Sequence, residues 1–242
     1  MGKTLAGGVA GRILCPDARG SVVNQERELA AELEAICDVC RRLSARNLLA
    51  AADGNVSVRL GDGRIAITPS GVNKATIRPE QIAFMTISGS VLSGRPSSER
   101  LMHLAIYDAC GDARAVVHAH PPTAIAWTVA RPGWTELPAD VLPEVALGVG
   151  RIPIVPYARP GTDAVGSALR ALLPRHRALI LARHGVVCWG ETLAEGYDGV
   201  ERIEHVAQIL KSAEELGGLT SLPPAEVAAL ASMREALGPR LR

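Results

Sequence analysis

The sequence has few aromatic residues and no excess of charge of either sign. One Phe, three Tyr and three Trp occur in 242 residues, and 26 Lys plus Arg face 25 Asp plus Glu, for a formal net charge of +1. Aromatic stacking platforms and basic surfaces are typical of proteins that bind nucleic acids, so both shortages argue against such a partner. We therefore expect a small-molecule ligand and no nucleic acid.

Long apolar runs are also absent from the sequence. The longest stretches, at 115–117 and 178–182, fall far short of the roughly 20 residues that a membrane-spanning helix requires. No continuous apolar signal core is present near the N-terminus. The sequence therefore predicts no membrane partner and a cytoplasmic location.

The five cysteines are odd in number and scattered, which argues against the paired disulfide framework of a small secreted protein. Cys37 and Cys40 form a CxxC, but they lie within an apolar pattern of helical spacing, where small buried residues are expected. We interpret them as packing residues with free thiols.

The chain is long enough for one or two domains at about 150 residues each, and no linker-like stretch divides it. We predict a flexible, Gly-rich lead-in at residues 1–23 and a single domain at 24–242. Periodicity and turn residues predict helices at 25–45, 99–110, 122–130, 163–173, 192–216 and 225–236, and strands at 56–60, 64–68, 82–87, 91–92, 113–119, 152–155, 178–182 and 186–189. This mixture of hairpins and helices predicts an α/β fold in which helices cover a largely antiparallel sheet.

Two histidines are placed so that both could bind one ion. His118 and His120 lie at the end of a predicted strand, where side chains alternate with a period of two, so both imidazoles point to the same side. Neutral imidazole binds zinc and related metals, and a catalytic zinc site typically has three protein ligands. His184, between a strand and Gly185, is the candidate third ligand. The histidine pair alone leaves metal binding and an ordinary polar or core role equally open.

Further support comes from a series of short motifs in a fixed order. The series comprises Gly54-Asn55-Val56-Ser57, Thr68-Pro69-Ser70-Gly71, Pro96-Ser97-Ser98-Glu99, His118-Ala119-His120, Pro156-Tyr157, Pro160-Gly161-Thr162 and Arg183-His184-Gly185. Over roughly residues 25–216 it resembles the class II aldolase and adducin-head family, whose members include L-fuculose-1-phosphate aldolase and L-ribulose-5-phosphate 4-epimerase.

The resemblance implies a three-layer α/β/α fold and a homotetramer with active sites at subunit contacts. It also implies a zinc ion bound by His118, His120 and His184, with Glu99 completing the resting metal site and then acting as the acid–base residue. Manganese or cobalt would suit the same three histidines.

The resemblance further implies a phosphate site, since Asn55, Ser70, Gly71, Ser97 and Ser98 match positions that bind the substrate phosphate in the family. Their chemistry agrees: glycine allows close backbone approach, Ser and Asn offer neutral donors, and a helix N-terminus attracts anions. Taken singly, the same residues also suit ordinary turns and helix caps, and Glu99 suits a first helical turn.

The implied reaction is aldol cleavage of a phosphorylated ketose to dihydroxyacetone phosphate and an aldehyde through an enediolate. Fuculose-phosphate aldolase also uses a tyrosine from a neighbouring subunit, and no Tyr lies between His120 and Tyr157 here. Glu144 is a candidate replacement near the corresponding position, although an exposed loop carboxylate is an equally good interpretation.

Other members of the family leave further alternatives open. Epimerases carry Asp where Glu99 stands, while other members dehydrate methylthioribulose phosphate or decarboxylate sugar-acid phosphates. We therefore keep a decarboxylase, dehydratase or epimerase acting on a sugar or sugar-acid phosphate as the alternative. A non-catalytic, adducin-like assembly module is less favoured, because loss of the metal histidines marks that branch and all three are present here.

Overall fold

The computed structural model describes residues 18–241. Most of the predicted lead-in, residues 1–17, lies outside this range. The predicted start of the first helix near residue 25 is wrong, because the helix already includes Ala18. Its first turns lack apolar residues at helical spacing, and Val23 and Asn24 are exposed, so the periodicity that marks a buried helix face is not present there.

Seven helices and nine strands are found in the described residues. The helices are α1 Ala18–Ala45, α2 Arg100–Ala109, α3 Pro122–Ala130, α4 Pro143–Gly148, α5 Asp163–Arg170, α6 Leu193–Leu216 and α7 Pro224–Leu237. The strands are β1 Asn55–Arg59, β2 Ile65–Ile67, β3 Ala83–Met85, β4 Val91–Ser93, β5 Ala115–Ala119, β6 Glu136–Leu137, β7 Ile152–Val155, β8 Ala178–Leu181 and β9 Gly185–Gly190. None of these helices is both long enough and apolar enough to cross a membrane. The sequence pattern missed α4 and β6, which are too short to show a period.

The strands form one sheet in the order β4-β3-β2-β1-β5-β9-β8-β7-β6. Neighbouring strands are antiparallel except for β7 and β8, which are parallel. The prediction of a largely antiparallel sheet is therefore confirmed.

Helices cover both faces of the sheet, which confirms the three-layer α/β/α architecture. Because side chains alternate along a strand, Val117 and Ala119 of β5 join a core cluster with α1, α3 and α6. Val116 of β5 joins a second cluster with α2 and α5 on the other face. His118 has the same parity as Val116, so its side chain lies on the side of α2.

The start of α2 differs from the prediction that the serines cap it. The N-cap residue is Glu99, and its side chain makes no capping hydrogen bond. Ser97 instead accepts a hydrogen bond at Oγ from the backbone N–H of Glu99, at 3.2 Å. The Glu99 carboxylate is thus free to point away from its own helix.

Cys37 and Cys40 lie on the buried face of α1, within the core, and both thiols are free. Burial raises the pKa of Cys37 to about 11 and that of Cys40 to about 12. Both thiols therefore stay protonated at neutral pH, and the interpretation of this CxxC as packing is confirmed.

Candidate metal centre

Four side chains from distant parts of the chain meet at the ends of the central strands of the sheet. His118 lies on β5, His120 just beyond its end, His184 in the turn between β8 and β9, and Glu99 at the start of α2. One donor atom from each lies within 4.8 Å of all the others. The structure therefore brings together all four residues that the resemblance assigned to a metal.

The contacts within this cluster are short and involve the atoms that would bind an ion. Glu99 places Oε2 at 3.2 Å from Nε2 of His118 and Oε1 at 3.0 Å from Nε2 of His184. Nε2 of His120 lies 3.0 Å from Nε2 of His118. Three ring nitrogens and one carboxylate thus converge on a common space.

The histidine rings and backbones are held by other residues. Nδ1 of His118 donates to the carbonyl oxygen of Val186 at 2.8 Å, so its Nε2 faces the cluster. The backbone N–H of His120 donates to the carbonyl of Leu48 at 2.8 Å. Asp53 Oδ2 lies 3.5 Å from Nδ1 of His120, and sequence reasoning missed this carboxylate.

Burial and neighbouring side chains shift the pKa values of His120 and Glu99 in this cluster. Burial lowers the pKa of His120 to about 3, and the neighbouring His118 and His184 act in the same direction, so its ring is neutral at neutral pH. Burial alone would raise the pKa of the Glu99 carboxyl, but hydrogen bonds with His118 and His184 bring it well below its usual value. The cluster thus presents a neutral imidazole at His120 and an ionised carboxylate.

These residues fit a divalent metal by their chemistry and by the space around them. Imidazole nitrogens with one carboxylate are a donor set that zinc and related metals accept. At Gly185, an added Cβ would collide with the Ala119 carbonyl and lie 2.9 Å from the His120 ring and 3.0 Å from the His118 ring. Only glycine at this position lets the rings come so close together.

The loops predicted to bind phosphate lie beside Glu99. The backbone N–H of Ser97 donates to the carbonyl of Thr68 at 3.1 Å, and that of Ser70 donates to Arg95 at 3.0 Å, so the two loops are joined. Ser97 is buried, whereas Ser98 and Gly71 are exposed. The phosphate roles of Asn55, Ser70, Gly71, Ser97 and Ser98 stay predictions.

Asn55 is placed differently from the other predicted phosphate ligands. It is 2% exposed, and its Nδ2 donates to Oε2 of Glu99 at 2.9 Å while its Oδ1 is hydrogen-bonded to Nε2 of His103. Sequence reasoning missed this link to His103. Two signals were present: Asn55 and Ser57 share one face of β1, and Glu99, His103 and Tyr107 are spaced by four along α2.

The structure does not bring Glu144 to the histidine cluster of its own chain. Glu144 is exposed in the first turn of α4, its carbonyl accepts from Arg202 at 3.3 Å, and it lines a cavity of about 760 Å³ beside α6. A role across a subunit contact stays a prediction.

A buried lysine joins two loops near the cluster. Lys74 is 1% exposed, and its Nζ donates to the carbonyl oxygens of Ala52 at 2.9 Å, Val72 at 2.8 Å and, more weakly, Pro69 at 3.4 Å. Burial lowers the pKa of this ammonium. Lys74 thus ties the loop before β1, which leads to Asn55, to the loop after β2, which carries Ser70.

Replacing Lys74 by Met should lower the free energy of unfolding by about 2–4 kcal/mol, because buried carbonyls lose their donor. Urea denaturation would measure the difference. Lys211→Met is the matched control, since Lys211 is exposed and pairs with the exposed Glu215, and its cost should stay within about 0.5 kcal/mol. Equal costs for both variants would contradict a structural role for Lys74.

The family model described as Class II Aldolase and Adducin N-terminal domain matches residues 34–210. This range contains the histidine cluster and the motif series, and it agrees with the resemblance noted in the sequence.

Individual relatives cover most of the chain. A 3-oxo-tetronate 4-phosphate decarboxylase of Cupriavidus necator is 33% identical over 86% of this chain and 96% of its own length. A 5-deoxy-D-ribulose 1-phosphate aldolase of Bacillus thuringiensis is 32% identical over 87% of this chain and 98% of its own length. The crystal structure of YgbL from Escherichia coli superposes with a TM-score of 0.79 at 28% identity, covering 84% of this chain and 99% of YgbL.

Proposed function

Because the chain belongs to the class II aldolase and adducin N-terminal domain family, we propose that it is a metal-dependent enzyme that breaks a carbon–carbon bond in a small phosphorylated sugar or sugar acid. The observation that carries this proposal is the convergence of Glu99, His118, His120 and His184 on one space. A non-catalytic assembly module would have no use for such a costly cluster of buried polar groups.

The first reaction that we assign is decarboxylation of a 3-oxo sugar-acid phosphate of the 3-oxo-tetronate 4-phosphate type, as named for the relative from C. necator. In such a substrate the carboxylate is β to the ketone. The bond between C1 and C2 breaks, CO2 leaves, and the electron pair enters an enediolate. Protonation of this enediolate at C2 yields dihydroxyacetone phosphate.

His118, His120 and His184 would hold the metal, which would act as a Lewis acid toward the oxygen that becomes negative. Glu99 is the residue that we assign to the proton transfer at C2, because its carboxylate faces the same space as the histidines. Ser70, Gly71, Ser97 and Ser98 are proposed to bind the phosphate.

Decarboxylation suits the residues of one chain because it requires a single acid–base group. CO2 leaves without a proton, whereas aldol cleavage also requires a base for the hydroxyl of the departing aldehyde. Among residues 18–241, Glu99 is the carboxylate in the metal cluster.

Aldol cleavage of a ketose 1-phosphate is the second candidate. The relative from B. thuringiensis supports it, and it proceeds through the same enediolate. In that case Glu144 of a neighbouring subunit would be the additional acid–base residue, within the homotetramer that we expect. Zinc is the metal that we propose first, with manganese and cobalt as alternatives.

The test is product formation by purified, metal-replete protein from a panel of 3-oxo acid phosphates and ketose 1-phosphates. Dihydroxyacetone phosphate is followed with a coupled NADH assay and CO2 release is measured in parallel, with a blank without protein for spontaneous decarboxylation. We expect both products from the 3-oxo acid, with kcat/KM of about 10⁴ M⁻¹ s⁻¹ or more. Dihydroxyacetone phosphate from a ketose 1-phosphate alone would assign the aldolase instead. No turnover of either class by metal-loaded protein would sink both assignments.

A further inference from the structure

A continuous chain of buried polar side chains leads from the core to Glu99. Tyr107 OH lies 2.8 Å from Ser57 Oγ, and Ser57 Oγ lies 2.7 Å from Nδ1 of His103. Nε2 of His103 is bonded to Oδ1 of Asn55, and Nδ2 of Asn55 donates to Glu99 at 2.9 Å. All of these side chains except Glu99 are 3% exposed or less.

The register of the sheet explains why these residues meet. Asn55 of β1 pairs directly with His118 of β5, and Ser57 pairs with Val116, so these side chains point to the same face. That face is the one covered by α2, which carries His103 and contributes to the second core cluster. The chain of hydrogen bonds therefore fills the space between β1 and α2, directly beneath the metal cluster.

Each hydrogen bond in this chain has a direction that its partners determine. Asn55 donates through Nδ2 to Oε2 of Glu99, and this orientation of the amide turns Oδ1 toward His103. Nε2 of His103 must then carry the proton. Burial lowers the pKa of His103 to about 3, and the nearby His118 contributes in the same direction, so the ring is neutral and its Nδ1 accepts from Ser57. Ser57 Oγ in turn accepts from the hydroxyl of Tyr107.

The orientation of the Asn55 amide depends on His103. If the amide turned over about its Cβ–Cγ bond, Oδ1 would face Oε2 of Glu99 and the NH2 group would face the N–H of His103. Two acceptors and two donors would then oppose each other in a buried space, where unsatisfied polar groups are costly. A donor at Nε2 of His103 therefore selects the orientation in which Asn55 donates to Glu99.

We propose that His103, supported by Ser57 and Tyr107, is a positioning residue of the active site: it orients the Asn55 amide, which holds the Glu99 carboxylate against His118 and His184. The chain of hydrogen bonds ends on the Glu99 oxygen that lies 3.2 Å from Nε2 of His118. The inference rests on the proposed function only where turnover is measured. Metal affinity and the protonation of His103 are measured without substrate, so they test it independently.

The decisive comparison is between His103→Leu, which removes the donor, and His103→Gln, whose side-chain NH2 can occupy a position near Nε2. For His103→Leu we expect the dissociation constant of Zn²⁺ to rise and kcat to fall, each by about tenfold to a hundredfold, as for other residues that orient metal ligands. KM should change little, since the phosphate loops are untouched. His103→Gln should recover most of both losses. Zn²⁺ affinity is measured by competition with a chromophoric chelator.

The protonation of His103 gives an independent readout. In the wild type, ¹⁵N shifts of the ring should show a neutral imidazole protonated at Nε2. A ring protonated at Nδ1 would reverse every bond in the chain and overturn the proposal. Wild-type Zn²⁺ affinity and kcat in His103→Leu would also overturn it. So would equal losses of Zn²⁺ affinity and kcat in His103→Leu and His103→Gln, if those losses followed a decrease in melting temperature.

Tyr107→Phe keeps the proposal testable if His103→Leu does not fold. The change removes the far end of the chain without touching Asn55 or Glu99. We expect Zn²⁺ affinity and kcat to fall in the same direction but by less than in His103→Leu. Unchanged Zn²⁺ affinity and kcat in Tyr107→Phe would then overturn it.

Discussion

Replacing His118 with Ala should abolish metal binding and turnover together. His118 is fully buried, and its Nε2 lies close to both Glu99 and His120, so its loss opens the centre of the cluster. A metal acting as a Lewis acid contributes several kcal/mol to the stabilisation of developing charge, so kcat should fall by about 10³-fold or more. Metal content per chain and kcat, measured on the same preparation, check this expectation.

His205→Ala is the matched control for His118→Ala. His205 is exposed on α6 and is not one of the four residues of the metal cluster, so its replacement should leave metal content and kcat unchanged. Treatment of the wild type with a chelator should reproduce the loss seen in His118→Ala, and added Zn²⁺ should restore it. A His118→Ala protein that retains activity after chelation would refute a metal-dependent reaction at this site.

Glu99→Gln separates proton transfer from metal binding. The three histidines remain, so the variant should still bind metal, although more weakly. The amide cannot carry a proton to carbon, and loss of a general acid–base residue typically costs about 10²–10⁴-fold in rate. Steady-state kcat, normalised to bound metal, measures this loss.

Exchange of hydrogen between dihydroxyacetone phosphate and D2O tests the same role without either leaving group. Formation of the enediolate from dihydroxyacetone phosphate needs only the residue that moves the proton at that carbon. The wild type should exchange one hydrogen of the hydroxymethyl group, as followed by proton NMR, while metal-loaded Glu99→Gln should not. Equal exchange rates in the two proteins would assign the proton transfer to another residue.

Local sequence patterns predicted most of the secondary structure because their causes are local. The turn Gly61-Asp62-Gly63 joins β1 and β2 as expected, and α6 begins at a capping box in which Thr192 and Glu195 bond reciprocally. The predicted start of α1 was wrong because residues 18–24 carry no apolar pattern at helical spacing. Ser97 and Ser98 do not cap α2, because the N-cap residue is Glu99. The Glu99 carboxylate does not cap the helix either, since it contacts His118 and His184.

The candidate site was predicted unevenly for the same reason. The spacing of His118 and His120 on one strand sufficed to place both rings on one side, and the structure confirms that geometry. The burial of Lys74 and the bonds of Asn55 were not visible in the sequence. Both depend on residues from other loops or from α2, which no local pattern specifies.

The sequence by itself determined the layers of the fold, the family and the four residues of the candidate metal site. Hydrophobic periodicity depends on residues that are close in the sequence, and the motifs themselves contain the side chains of the site. The tertiary structure alone decided which residues stand behind the cluster, because the pairing of Asn55 with His118 and the packing of α2 on β1 depend on strand order and register. These long-range contacts turned His103 and Tyr107 from ordinary helix residues into the support of Glu99, and they left Glu144 outside the cluster of its own chain.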